Sequence, residues 1–283
     1  MSVETPAEAA DRLLHASSFG AVAAAYAQYR PSYADAAIRW CLEPPAAAGG
    51  LVSAAEGPQG GSGRAPRVAD LGAGTGIVTA ALARLGADVV AIEPNQDMLA
   101  ELRRRLPRIR AEHGSAEAIP LPDASVDAVV AGQALHWFDL DLALPEIARV
   151  LVPGGTLAAL WNVDDDRVGW VAELAEMSRR RGANTLLRWR EGYARSWQEA
   201  ALRTGGELFE AAGIGEFANP QTRTAESVTA TLATHSHLLV MPAAERAALL
   251  ARVNEFLHDQ PETAHGQFTL PLITVAVRAR RRN

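Results

Sequence analysis

Gly72, Gly74 and Gly76 alternate within Val68-Ala69-Asp70-Leu71-Gly72-Ala73-Gly74-Thr75-Gly76, where a short apolar run gives way to a helical pattern. Glycine at such a strand-to-helix turn permits positive φ and lets backbone N–H groups approach a ligand with no Cβ in the way. A second apolar run ends at Glu93, roughly 20 residues further on, where a carboxylate can accept hydrogen bonds from both hydroxyls of a ribose. Loop and acid together suit an adenosine-bearing cofactor. The pair does not separate S-adenosylmethionine (SAM) from NAD, since either would bring a ribose to that carboxylate.

Other candidates for chemistry follow later strands. His136-Trp137-Phe138 comes just after a fourth apolar run, on the side where open α/β sheets bind ligands, which makes His136 the candidate general base and Trp137 a pocket residue. Trp161 and Asn162 end the next run on the same side, as pocket wall and polar anchor. Asp164-Asp165-Asp166 suggests a cation at first sight, but no metal site is expected. His235 and His237, two apart on an expected helix, point to different faces.

The elements that must carry these residues alternate strand and helix from Val68 onward, the signature of a parallel sheet of βαβ units. Strands are expected over Val68 to Leu71, Val89 to Glu93, Val126 to Gly132 and Thr156 to Asn162, with a weaker one from Ile109 to His113. Helical faces are marked by Val78, Leu82 and Leu85, by Met98, Leu99, Leu102 and Leu106, and by Leu144, Ile147 and Leu151. Pro153-Gly154-Gly155 reads as the stop of that third helix. Helices are expected up to Arg181, from Glu199 to Ala212, from Ser227 to Leu239 and from Ala243 to His258, before a final strand near Phe268 to Val277. The polar and aromatic run Leu187 to Trp197 could cap the pocket. The basic end Arg278 to Asn283 reads as a solvated tail.

Four stretches emerge: an N-terminal helical cap at 1–42 carrying the Phe19, Val22, Tyr26 and Tyr29 stripe, a Pro/Gly/Ala-rich linker at 43–66, a cofactor-binding core at 67–162, and lid helices with C-terminal strands at 163–283 that complete the same domain. With 283 residues, 48% of them hydrophobic, a sizeable core is available. A net charge of -6 gives no general attraction to nucleic acid or anionic lipid. The one cysteine, Cys41, rules out an internal disulfide. The N-terminus lacks the pattern of a signal peptide and no run is long enough to cross a bilayer, so a cytoplasmic protein is expected.

The ordered segments DLGAGTG, AIEPNQDML, GSAEAIPLPDASVDAVVAGQALHWFD and ARVLVPGG, spanning about residues 68 to 162, resemble class I SAM-dependent methyltransferases of the methyltransferase-11 group. The segment AYAQYRPSY is similar to the helix before the first strand in trans-aconitate methyltransferase-like members. The resemblance implies a Rossmann-like α/β fold, a mostly parallel seven-stranded sheet with an antiparallel last strand, a sixth strand near Glu216 to Thr224, and a helical lid. It implies that Asp70, Gly72, Ala73, Gly74 and Gly76 form the loop at the methionine portion of SAM, with Glu93 on the ribose and Pro94, Asn95 and Met98 flanking ribose and adenine. Ser115, Ala116 and Glu117 follow at the adenine, where Ser115 replaces the family's frequent Asp and supplies no charge. Gln133 would face the methionine portion, and Tyr26 and Arg30 its carboxylate.

The downstream motifs favour SAM over NAD. They imply methyl transfer to a small-molecule acceptor, oxygen before nitrogen or carbon, with S-adenosyl-L-homocysteine as product. A SAM-binding protein of this fold with non-methylating or regulatory function is the alternative. Catechol-type relatives place a metal-binding carboxylate after the fourth strand, where this chain has Gln133.

Overall fold

Short runs that stay apolar on both sides form strands buried on both faces, as parallel sheets require. The first is β1, Arg67–Leu71, followed by β2, Asp88–Glu93. Beyond β3, Arg110–His113, come β4, Val126–Gly132, and β5, Leu151–Asp164. The C-terminal part supplies β6, Gly213–Ala218, β7, Gln221–Arg223, β8, Phe268–Leu270, and β9, Leu272–Arg280. This computed structural model describes residues 23–43, 64–178 and 208–283. The Phe19 and Val22 positions, most of the linker, Arg179 to Arg181, the Leu187 to Trp197 run and most of the helix expected from Glu199 lie outside them.

Seven strands form one sheet in the order β3-β2-β1-β4-β5-β9-β6, and β7 and β8 pair in a separate hairpin. Pairs from β3 to β5 are parallel, while β9 runs antiparallel to both of its neighbours. The expected fold class is therefore the observed one. Helices α1, Ala23–Tyr29, and α2, Asp35–Leu42, precede the sheet, with Pro31 between them. Next come α3, Ile77–Arg84, α4, Gln96–Arg105, and α5, Leu140–Val150. The lid side carries α6, Gly169–Met177, α7, Ala225–Ala233, α8, Ser236–Leu239, and α9, Ala243–Asp259.

The sheet separates two apolar layers. On one face Leu144 and Ile147 of α5 pack with Leu71, Val129 and Trp161, and on the other Ile38 of α2 and Leu82 of α3 pack with Val68, Val130 and Leu160. A third cluster joins Trp170 and Leu174 of α6 to Val228 of α7, Val253 and Leu257 of α9 and Leu270 of β8. No helix among the described residues is long and apolar enough to cross a membrane.

Two expectations are corrected. The helix α5 ends at Val150, and Pro153-Gly154-Gly155 lies inside β5, where the register with β4 jumps from Val126↔Leu151 to Ala128↔Thr156. Proline and glycine mark a strand bulge there, not a helix stop. The basic end is no solvated tail either. Arg278 and Arg280 belong to β9, and the Arg278 guanidinium is buried 4.0 Å from the centre of the Trp40 ring, donating to the carbonyls of Trp40 and Glu43.

One buried amide clamps the N-terminal segment to this frame. Asn162 Nδ2 donates to Ser32 O at 3.0 Å, while its Oδ1 accepts from Thr274 Oγ1 at 2.7 Å and Asn219 Nδ2 at 3.0 Å. Thr274 Oγ1 in turn accepts from Ala34 N at 3.1 Å. Replacing Asn162 strips several buried groups of partners at once, and each such loss costs about 1–3 kcal/mol. Asn162→Ala is therefore expected to lower stability by about 3 kcal/mol, read as a fall in the urea midpoint; a midpoint unchanged from wild type would show that the clamp carries no weight.

Candidate active site

The strand order reverses beside β1, which pairs with β2 on one side and β4 on the other, and ligands bind at such a switch point, beyond the strand C-termini. A cavity of about 450 Å³ lies there, lined by the β1 loop, the ends of β2 and β4, the turn after β3 and the start of α5. Gly72 takes φ +63°, and a Cβ on it would stand 2.7 Å from Ala134 Cβ. Gly74 takes φ +56° and lines the cavity, and no atom lies within 4 Å of where its Cβ would be. Backbone can thus meet a ligand directly at Gly74.

Glu93 ends β2 only 6% exposed. Its Oε2 accepts from Gly74 N and its Oε1 from Asn95 N, both at 2.8 Å. A carboxylate offers about four acceptor positions, so each oxygen keeps capacity for a further donor, the pattern that a vicinal diol satisfies. Burial raises the pKa of Glu93, opposed by those two backbone donors and by the neighbouring His113. Asn95 accepts from Asp97 N and Met98 N at 3.1 Å, so its side chain caps α4. Glu117 accepts from Asp139 N at 2.9 Å, tying the β3 turn to the start of α5.

The charged side chains among the described residues of this cavity's wall are Glu93, Glu117 and Asp139, and no Lys, Arg or His lines it with them. Such a lining favours a cationic ligand and disfavours the pyrophosphate of a dinucleotide. SAM carries a ribose, a sulfonium and an ammonium group, and these residues fit it.

Of the residues expected at the cofactor, Tyr26, Gly72, Gly74, Glu93, Pro94, Asn95, Met98, Ser115, Ala116, Glu117 and Gln133 line this cavity, as does Trp137. Asp70, Ala73 and Gly76 do not. Gly76 precedes α3, and Asp70 lies fully buried beneath the loop, its Oδ2 accepting from Thr79 Oγ1 at 2.5 Å. Burial pushes Asp70 up to about 7, against the Thr79 bond and with help from the Glu93 charge.

A second cavity of about 80 Å³ opens between the sheet and the lid elements, with Arg30, Asn162, Asp164, Arg223 and His235 on its wall. Gln133 lines both cavities. It holds φ +53°, unusual for a residue with a side chain, and its Nε2 donates to Asn162 O at 3.0 Å. Such strain gathers at functional positions. Arg30 faces the second cavity, donating to Thr234 Oγ1 and O at 3.0 and 3.1 Å and lying 4.8 Å from the Tyr26 ring centre. Asn162 reaches that wall with its amide committed to the clamp.

His136 lines neither cavity, and burial, with the Arg30 charge second, pushes it down to about 4. Trp161 sits in the core, 3% exposed. Phe138, Asp139 and Leu142 escaped the sequence reading although they follow β4 as Trp137 does. Asp164, weighed there only for metal, ends β5 beside the second cavity. His235 was weighed there only with His237, as a pair pointing to different faces, and Arg223 and the lid leucines carried no sequence signal.

The seven-stranded sheet with its single antiparallel strand and a ribose-ready acid at the end of β2 together define a Rossmann-like, SAM-dependent class of transferase. The comparisons give the family. The methyltransferase domain family matches residues 69–159. A protein of Mycobacterium tuberculosis named as an uncharacterized methyltransferase is 40% identical over 263 residues, 93% of this chain and 95% of its own length. A Schizosaccharomyces pombe protein with the same designation is 32% identical, over 74% of this chain and 81% of that one. A solved structure from Anaeromyxobacter dehalogenans, named as a type II methyltransferase, shares the fold with a TM-score of 0.54, 22% identity, and coverage of 90% of this chain and 98% of that chain. The chain belongs to the methyltransferase family, and its cofactor is SAM.

The two loop glycines differ in a way that can be measured. Gly72→Ala meets both positive φ and a backing side chain and is expected to cost about 2–4 kcal/mol, whereas Gly74→Ala meets only the φ penalty, about 1–2 kcal/mol. Urea denaturation of both variants reads this order, and a Gly74→Ala loss equal to or above that of Gly72→Ala would contradict the packing given for the loop.

Proposed function

We propose that this methyltransferase transfers the methyl group of SAM to a small-molecule acceptor, an oxygen nucleophile first, seated in the second cavity. The observation that carries the reading is the pairing of two cavities across Gln133, one acidic and large enough for SAM, the other compact and walled by the lid. Bound SAM supplies a sulfonium-activated methyl, whose departure leaves the electron pair on sulfur and S-adenosylhomocysteine as product.

The chain's own part is to hold, orient and exclude water. Glu93 receives the ribose hydroxyls, and Pro94, Asn95 and Met98 enclose ribose and adenine with Ser115, Ala116 and Glu117. Gly72 and Gly74 bring backbone against the methionine portion, with Tyr26 and the Gln133 side-chain oxygen beside it. Trp137, Phe138 and Leu142 keep water from the reacting atoms. Alignment of this kind accounts for roughly 7–11 kcal/mol of a barrier in well-ordered systems.

For a hydroxyl acceptor, one side chain must take a proton. His136, with its pKa near 4, is a weak base and lines neither cavity. Asp164 lines the acceptor cavity, and burial, with Asp166 second, pushes it up to about 7, close to an operating pH. We assign it the proton.

Calorimetry tests the cofactor site: S-adenosylhomocysteine is expected to bind, NAD is not, and Glu93→Ala is expected to weaken the former about 10- to 100-fold. Binding of NAD in place of S-adenosylhomocysteine would overturn the assignment of this cavity. With an acceptor found by screening metabolites for S-adenosylhomocysteine release, Asp164→Asn is expected to slow turnover about a hundredfold or more at unchanged S-adenosylhomocysteine affinity, and His136→Ala is expected to leave it near wild type. The reverse pattern would return the proton to His136.

A further inference from the structure

Resting on that reading of the second cavity, we infer that the acceptor is a compact acid whose carboxylate seats on the Arg223 guanidinium, with its apolar part against Leu174, Val228 and Leu270. Arg223 ends β7, is half-buried, and lines the cavity. Its guanidinium has no hydrogen bond or ion pair with any described residue. Arg149, Arg278 and Arg30, also withdrawn from water, are by contrast engaged: Arg149 with Glu146 and Asp123, Arg278 with the Trp40 carbonyl, and Arg30 with Thr234. Withdrawing a guanidinium from water without a partner is costly, and an anionic ligand offsets that cost. Burial lowers the pKa of Arg223 with nothing opposing it.

The remaining wall selects the kind of anion. His235 is kept neutral by burial, with Arg30 and His237 adding to the effect. Arg30 already directs two nitrogens to Thr234. Among the described residues Arg223 therefore offers the open guanidinium fork, which matches the two oxygens of a carboxylate. A phosphate monoester brings close to two charges and a third oxygen, which a single guanidinium fork leaves unmatched. Asp164 lines the same cavity and makes no ion pair with Arg223. The acceptor thus meets both a cation and a carboxyl within one cavity. At about 80 Å³, against about 30 Å³ for a liquid water, the space suits a small acid.

Calorimetry on the full chain saturated with S-adenosylhomocysteine tests this with matched probes: straight-chain monocarboxylates of three to six carbons, their primary amides, and the alkyl phosphates of the same lengths. At least one carboxylate is expected to bind about tenfold or more tightly than its amide and its phosphate counterpart, and Arg223→Ala and Arg223→Gln are expected to bring carboxylate and amide within about threefold. No carboxylate preference at any length, a preference that survives both substitutions, or a stronger response to the phosphates would overturn the inference. Retained S-adenosylhomocysteine affinity in the variants shows that they are folded. Failure of wild type to bind S-adenosylhomocysteine would instead strike the cofactor reading.

Discussion

Glu93 is a carboxylate almost withdrawn from water, and the geometry around it follows from keeping it supplied with donors. Its two oxygens take Gly74 N and Asn95 N, which obliges the β1 loop to turn back toward the end of β2. That turn is open only to residues tolerating positive φ, and at Gly72 only to one with no Cβ, because Ala134 closes the space behind. The parallel register Leu71↔Ile92 sets loop and acid side by side, and Asn95, besides donating to Glu93, caps α4. One buried charge thereby links the ends of β1 and β2, the start of α4 and the packing of β4's following turn. Charge-assisted bonds of this kind are about twice as strong as neutral ones, which suits a site that must stay shaped before its ligand arrives.

The same burial leaves the neighbourhood electrically uneven. Asp70, beneath the loop, is held near pH 7 with an oxygen unpartnered, partly because Glu93 is charged nearby. Glu117 and Asp139 add to the cavity's acidic wall. A cationic ligand relieves these carboxylates and an anionic one aggravates them. This is a physical reason for an acid at the end of β2 of a Rossmann-like sheet to serve SAM here and not a dinucleotide, independent of any likeness between sequences.

Legibility in the sequence follows how local each determinant is. The strands β1, β2 and β4 and the Gly72, Gly74 and Glu93 constellation were readable because their signals, unbroken apolar runs and glycines at a strand end, lie within a few neighbouring residues. The Pro153-Gly154-Gly155 run misled because a helix end and a strand bulge use the same residues, and only pairing with β4 distinguishes them. Arg278 looked like tail because nothing near it in sequence shows that Trp40, far upstream, provides its ring and carbonyl. Asn162 was expected to serve a ligand, yet its amide is taken up by Ser32, Asn219 and Thr274 from three distant segments. The second cavity is the extreme case, assembled from the segment after α1, β5, α6, the β7–β8 hairpin and α7, with no motif of its own.

Gln133 gives that non-local cavity a fixed relation to the local one. It follows β4 at the switch point, and its N–H donates to Leu160 O at 2.7 Å while its side chain donates to Asn162 O. Both anchors lie on β5, so the residue keeps a left-handed conformation that a side chain ordinarily avoids. Asn162 is itself fixed by the clamp that seats the N-terminal segment, which delivers Tyr26 to one cavity and Arg30 to the other. A shift of that segment would therefore alter both walls together. The relation between the two cavities depends in this way on a buried amide that touches the partition between them, and the fold's most distant contacts converge there.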